Sequence, residues 1–322
     1  MNKIIILLGP TCAGKTEVSI SLAKILGTEI ISADSMQIYR FMDIGTAKPD
    51  RNQLSDIKHH MIDIVNPWET FSAGKYIKTI VPIIENLHVE NKIPIIVGGT
   101  GLYIKAMTRG IFKGPSADWS VRESLLEMEK NHGGILYDYL RKLDPEAASK
   151  ITSNDIRRII RAIEVFIKSN IKISEIQKNM THPLPYEFIK IGLTRDRKEL
   201  YQLIEKRVDK MIVSGLVEEV KKIVSLIDNY LYSSSTTDDK PQPPFPSLQA
   251  LGYKEIIMYL QKKISLSEAI RLIKRNTKRY AKRQFTWFKK EEGISWIDIT
   301  GINDINMISN LVFEVIKNKI ES

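Results

Sequence analysis

The sequence has one cysteine, Cys12, among 322 residues. That excludes an internal disulfide and any zinc site built from thiolates, and it suits a reducing compartment. No apolar run approaches the ~20 residues needed to cross a bilayer. Met1–Leu8 leads straight into a glycine-rich motif and leaves no room for a signal peptide. A soluble, cytoplasmic monomer with no membrane partner is expected. Acids are missing in two informative places. The apolar run Ile93–Val97 ends in Gly98-Gly99-Thr100 with no carboxylate, and no acid occurs between Glu268 and Glu291.

What is present begins with charge. Lys and Arg total 48 against 38 Asp and Glu, a net charge of +10. Such a balance favours phosphate-bearing partners (nucleic acid, nucleotides or an anionic surface), although charge alone leaves a generally basic protein equally open. The length exceeds what one compact core needs, so two domains, or one core with an insertion, are expected.

The first third alternates strand and helix patterns. Strands are expected at Lys3–Leu8, Glu29–Ser32, Met61–Val65 and Ile93–Val97, with helices at Lys15–Leu26 and Ser72–Glu90. This rhythm predicts an α/β fold, a P-loop NTPase-like parallel sheet flanked by helices. From Ser120 to Gln177 only helical periodicity is found. Ser153-Asn154-Asp155 reads as a helix start, followed by an apolar stripe of Ile156, Ile159, Ile160, Ile163 and Ile167. Strand character returns at Phe188–Leu193. The predicted organisation is a first core part at 1–114, a helical insertion domain at 115–186 and a second core part at 187–322. A flexible loop is expected at 228–246, where serines, Asp238-Asp239 and four prolines gather.

The strongest motif is Gly9-Pro10-Thr11-Cys12-Ala13-Gly14-Lys15-Thr16, which fits G-x-x-x-x-G-K-[ST] between a buried strand and a helix. Backbone N–H groups and a helix N-terminus cradle phosphates there, Lys15 adds charge, and the Thr16 hydroxyl suits Mg²⁺. Taken alone, the motif suggests nucleotide binding, ATP included. The missing acid after Val97 points away from hydrolytic ATPases and towards small transferases. Cys12 reads as a small filler residue. Asp34, just past the second strand, belongs at the ligand-binding edge of the sheet. It could act as metal ligand, general base or helix cap, with cap and base equally open. His59-His60 lack an acid or cysteine cluster and read as hydrogen-bonding or packing residues.

Near the end, Ser265-Leu266-Ser267-Glu268 fits a capping box opening a helix over 266–289. Arg271, Lys274, Arg275, Lys278, Arg279, Lys282 and Arg283 fall on one face of it, with Ile270, Ile273, Tyr280, Ala281, Trp287 and Phe288 roughly opposite. A stripe of one charge sign backed by an apolar seam predicts contact with a phosphate backbone.

Several blocks together resemble one family, the tRNA dimethylallyltransferases (tRNA isopentenyltransferases). They are Asp34–Tyr39, Asp43–Pro49, His59-His60 with Ile62-Asp63, Gly98–Tyr103, Asp144–Ala148, Asn154–Glu164, Leu251–Glu255 and Lys282–Phe288, in family order over nearly the whole chain. The resemblance implies transfer of a dimethylallyl group from dimethylallyl diphosphate to N6 of adenosine 37, beside the tRNA anticodon, with Mg²⁺ and loss of pyrophosphate. It implies Asp34 as base, Thr16 beside the diphosphate and metal, and Arg207 on the diphosphate. The residues read alone would make Arg207 only a solvated charge.

The resemblance also assigns tRNA contacts to Asp34, Ser35, Met36, Gln37, Thr100, Arg122, Arg157, Arg158, Ile159, Ile160, Arg161, Gly252, Tyr253, Lys282, Arg283, Gln284 and Trp287. The anticodon stem-loop is the expected partner, and Ser35 and Gln37 are placed to read an extruded base. Two departures stand out: the 228–246 segment is longer and more polar than the family pattern, and Gln249 replaces a common arginine. The rivals are a small-metabolite kinase, a prenyltransferase acting on free adenine nucleotides, and a non-catalytic RNA-binding protein.

Overall fold

The computed structural model describes residues 2–112, 114–234 and 245–321. The chain opens with β1 (Lys3–Leu8), α1 (Lys15–Leu26), β2 (Ile30–Ser32), α2 (Arg51–Asp56), β3 (His59–His60), α3 (Ala73–Val89), β4 (Ile95–Gly98) and α4 (Gly101–Thr108). Five helices follow: α5 (Trp119–Asn131), α6 (Ile135–Leu143), α7 (Pro145–Lys150), α8 (Ile156–Ser169) and α9 (Ile173–Asn179). Then come β5 (Glu187–Thr194), α10 (Arg197–Val213), α11 (Leu216–Ser234), a short 3₁₀ turn, α12 (Tyr253–Leu260), α13 (Leu266–Phe288), β6 (Ile294–Asp298) and α14 (Ile305–Glu321).

The six strands form one sheet, in the order β3-β2-β4-β1-β5-β6, and every pairing is parallel. β1 is apolar at nearly every position because both of its faces are covered, as parallel sheets require. Ile5 and Leu7 pack with Val18 and Leu22 of α1 and with Ile308 and Val312 of α14. A second cluster gathers Val220 and Ile223 of α11 with Ile256 of α12 and Ile273 of α13.

Two expectations are corrected here. The third strand is His59–His60, not Met61–Val65. Met61 and Asp63 adopt positive φ (65° and 55°), which breaks an extended run, and Val65 makes only an isolated bridge to Tyr39. The expected loop at 228–246 is helical as far as Ser234, because the α11 stripe continues through buried Ile227 to Leu231 and Tyr230 stacks on Trp68 at 5.0 Å. Residues 235–244 lie outside the described residues. β6 and α14 were not anticipated from sequence.

The chain divides into two compact units. One comprises 1–105, 185–233 and 245–322, and the other is the helical stretch 106–184, which begins inside α4 rather than at 115. The helical unit has its own core of Leu125, Leu136, Leu140, Ile159, Ile160, Ile163 and Val165. Ile167, expected on the buried stripe, is half exposed. Asp144 is buried, caps α7 through Ala147 N–H and also accepts from Ser174 N–H of α9 (both 3.0 Å). Among the described residues no helix is long and apolar enough to cross a membrane.

Candidate active site

The register of the sheet aims the glycine-rich loop. Leu8, the last residue of β1, pairs with Gly98 of β4 on one side and Gly192 of β5 on the other, so the loop emerges from the centre of the sheet. Gly9 has φ +148°, and a Cβ there would lie 2.5 Å from the Leu193 carbonyl oxygen, so no other residue fits. Lys15 folds back to donate to Gly9 O (3.0 Å) and Pro10 O (2.7 Å). Burial, and then the Arg207 guanidinium, lower its pKa to about 8, while Cys12 and Asp34 oppose the shift. Arg207 of α10 reaches the loop itself, with Nη1 3.8 Å from Cys12 Sγ. Thr16 offers a hydroxyl with no hydrogen-bond partner among the described residues, while its carbonyl accepts from Ser19.

Asp34 follows β2 and both sequence readings find support in its geometry. Oδ1 accepts from Met36 N–H (2.8 Å) and Gln37 N–H (3.3 Å), which caps the turn. Oδ2 has no hydrogen-bond partner among the described residues. The carboxylate acts electrostatically on Lys15, and on Tyr103 and Tyr280, whose hydroxyl pKa values are raised first by burial. Tyr280 is the neighbour of Asp34 that sequence reasoning missed, since periodicity placed it only on an apolar seam. Thr100 Oγ1 accepts from Ser35 N–H (3.0 Å), and Thr100 N–H donates to Ala33 O (3.1 Å), tying the β4 exit to the Asp34 turn. Gln37 is held at both ends of its amide. Oε1 accepts from Ser32 Oγ (3.1 Å), and Nε2 donates to Thr46 O (3.4 Å) and Ala47 O (3.3 Å). A cavity of about 30 Å³ opens behind Thr16, lined by Ser19, Ser32, Gln37 and His59 among others. His59 Nδ1 is bonded to Ile57 O and His60 Nε2 to Glu29, the roles expected of them.

α13 locks onto this edge. The buried Gln284 amide accepts from Thr11 N–H (2.9 Å) and donates to Gly99 O (3.0 Å). Trp287 covers Gly101 so closely that a Cβ there would lie 2.5 Å from the ring. Gln284 is therefore a structural bridge rather than a surface contact, while Lys282, Arg283 and Trp287 are exposed. The one-sign stripe is also corrected. Lys274 pairs with Asp209 (2.7 Å) and Lys278 with Glu205, both acids on α10, and Arg271 pairs with Glu268 (2.6 Å). Arg279 and Lys282 have no acidic partner among the described residues. Tyr253 is wholly buried behind Gly252, and its hydroxyl donates to Glu219 (2.5 Å), so its side chain is removed from any RNA surface.

In the helical unit, Glu164 is fully buried on α8. Burial alone would raise its pKa, but bonds from Arg122, Asp118 N–H and Arg161 hold it below the ordinary glutamate value. Arg122 binds it through two 2.8 Å contacts, and Arg161 Nη1 adds another at 2.6 Å. Ile159 and Ile160 are buried. Of the expected tRNA contacts here, Arg157 and Arg158 alone present exposed side chains.

The family profile for IPP transferases matches residues 37–291, the stretch that carries Gln37, Thr100, Arg207 and Gln284. This chain belongs to the IPP transferase family. It is 55% identical to the tRNA dimethylallyltransferase of Thermodesulfovibrio yellowstonii, covering 98% of each chain. It is 46% identical to that of Thermotoga maritima, over 92% of this chain and 93% of the relative. Among solved structures, the tRNA isopentenylpyrophosphate transferase of Bacillus halodurans matches at TM-score 0.68 and 39% identity, over 100% of this chain and 99% of that one. A eukaryotic dimethylallyltransferase acting on tRNA matches at TM-score 0.79 and 28% identity, over 99% of this chain and 79% of that one. These likenesses bear out the α/β expectation and the family resemblance.

Proposed function

We propose that this IPP transferase moves a dimethylallyl group from dimethylallyl diphosphate to N6 of adenosine 37 in tRNA, acting as a cytoplasmic monomer. The observation that carries the reading is the convergence of Lys15, Arg207 and Asp34 on one glycine-rich loop. Two cations beside backbone N–H groups suit a diphosphate. A carboxylate with one oxygen uncommitted suits the weakly nucleophilic amine that must lose a proton.

In the reaction the N6–carbon bond forms as the carbon–oxygen bond to diphosphate breaks. The bonding pair leaves with pyrophosphate, and the N6 proton passes to Asp34 Oδ2. Lys15 and Arg207 offset the charge that builds on the leaving oxygens. No group of three or more His, Cys, Asp or Glu residues able to hold a metal occurs among the described residues. Mg²⁺ commonly takes one or two protein oxygens and completes its shell with phosphate and water, so it needs no such group. The Thr16 hydroxyl is the oxygen on offer. The ion when bound would neutralise diphosphate charge. Arg279, Lys282 and Arg283 of α13, with Arg157 and Arg158 of α8, present exposed cations for the anticodon stem-loop, and Trp287 a face on which a base can stack.

The test is incubation with labelled dimethylallyl diphosphate, Mg²⁺ and either tRNA or AMP. Label is expected on tRNA adenine; label on AMP alone, or ATP hydrolysis without transfer, would overturn the reading. Asp34→Ala is expected to lower the transfer rate by about 10²–10⁴-fold with tRNA affinity retained. Full activity in that variant would remove Asp34 from the base role.

A further inference from the structure

We propose that Glu219, on the first turn of α11, is a positioning residue for the transfer reaction, holding Gln37 and Asp34 through the 43–47 turn. The inference rests on the Asp34 reading above. Its basis is one carboxylate with an unusual set of donors. Oε2 accepts from Asp43 N–H (2.9 Å) and Ile44 N–H (2.7 Å), and Oε1 from Gly45 N–H (3.0 Å) and Tyr253 Oη (2.5 Å). Three successive backbone N–H groups converging on an anion form a nest, and bonds to a charged acceptor are stronger than neutral ones. The partner hydroxyl of Glu219 is held in turn, since the Tyr253 ring is buried and packs where a Gly45 side chain would be.

The turn so held is continuous with the reacting edge. Thr46 and Ala47, the next two residues, present the carbonyls that accept from Gln37 Nε2. Lys48 closes the far side, donating to Tyr39 O (2.7 Å), to Asp43 Oδ1 (2.6 Å) and to Asp63 Oδ1 (2.5 Å). Gln37 N–H is one of the two donors on Asp34 Oδ1. A path of hydrogen bonds therefore runs from Glu219 through the turn and the Gln37 amide to the base. Glu219 touches no reacting atom; it fixes where the Asp34 carboxylate points.

Glu219→Gln keeps the shape but turns an amide NH₂ towards N–H or O–H donors. Misplacement of a reacting group by about 1 Å costs on the order of a hundredfold in rate. The expected result is a fall in kcat of about 10–100-fold. The donor Kd should stay close to wild type, and the variant, having lost charge-assisted bonds, should melt somewhat lower yet stay folded at the assay temperature. In an Asp34→Ala background the same change should cost almost nothing more, because its effect runs through Asp34. A purely structural role would add its loss of rate in both backgrounds, and that outcome overturns the proposal. So does wild-type kcat in soluble Glu219→Gln. Tyr253→Phe removes one of the four bonds without touching the nest. It should give a smaller fall in kcat, again absent in the Asp34→Ala background, and it decides the matter if Glu219→Gln fails to fold. Absence of transfer by the unaltered enzyme would instead strike at the functional reading itself.

Discussion

α8 and α13 look alike as sequence, each a helix with an apolar stripe and several arginines or lysines, yet they use their cations differently. On α8, Arg161 joins Arg122 of α5 in enclosing the buried Glu164, so these arginines hold the helical unit together. On α13, Lys274 and Lys278 are balanced by acids of α10, while Arg279 and Lys282 remain exposed and unbalanced among the described residues. Net charge therefore does not distinguish a cation that anchors from one that is free to bind. The carboxylate it faces does, whether that carboxylate lies on its own helix, as Glu164 does for Arg161, or on another, as Asp209 does for Lys274.

The sharpest way to break this contrast is Arg122→Ala. It strips two contacts from a buried carboxylate and should cost about 3–5 kcal/mol, read by thermal or denaturant unfolding. Unchanged unfolding with weakened tRNA binding would move Arg122 from the anchors to the binders. Next comes the double change Arg279→Glu with Lys282→Glu. Losing two phosphate contacts should lower tRNA affinity about tenfold or more and flatten the salt slope by about 0.9 per contact. Melting should not move; equal affinity at low salt would put the RNA elsewhere.

A third test extends the contrast to Lys15, a cation whose partner is expected to arrive with the substrate. Its pKa of about 8 lies below the ordinary lysine value, and a bound diphosphate favours the charged form. Donor affinity is then complete below that pH and lost as pH rises through it, so binding should be about tenfold weaker at one unit above it. Titration with a non-reactive thio analogue of the donor checks this, and a flat profile from pH 7 to 9.5, the range being set on the order of that pKa, refutes it. The smallest effect belongs to Lys274→Ala. Removing a balanced surface cation should change stability by less than about 1 kcal/mol and leave tRNA affinity alone.

The phosphate loop and the parallel sheet were legible because they depend on local facts. An unbroken apolar run, then glycines and Lys15-Thr16, specify strand, loop and helix within one stretch of chain. Asp34 was legible at the sheet edge, and its capping of the turn followed from the residues just after it, Met36 and Gln37. What stayed hidden depends on distant partners. Glu205 and Asp209 are not near the α13 stripe in sequence, so its neutralisation could not be read from periodicity. Tyr280 looked like core until α13 was placed beside Asp34. The third strand lies at His59–His60 instead of Met61–Val65 because Met61 and Asp63 take positive φ, and neither is a glycine that would announce it.

Gln284 has a consequence for what position 284 will accept. Its one planar group must offer a lone pair to Thr11 and a proton to Gly99 across two different backbones. Glutamate would meet the Gly99 carbonyl with a second acceptor, lysine would bring no acceptor for Thr11, and asparagine is a methylene short. A primary amide of this reach is the one side chain whose chemistry matches both. Position 284 thus has an alphabet of a single letter, and α13 keeps its register on the glycine-rich loop through it.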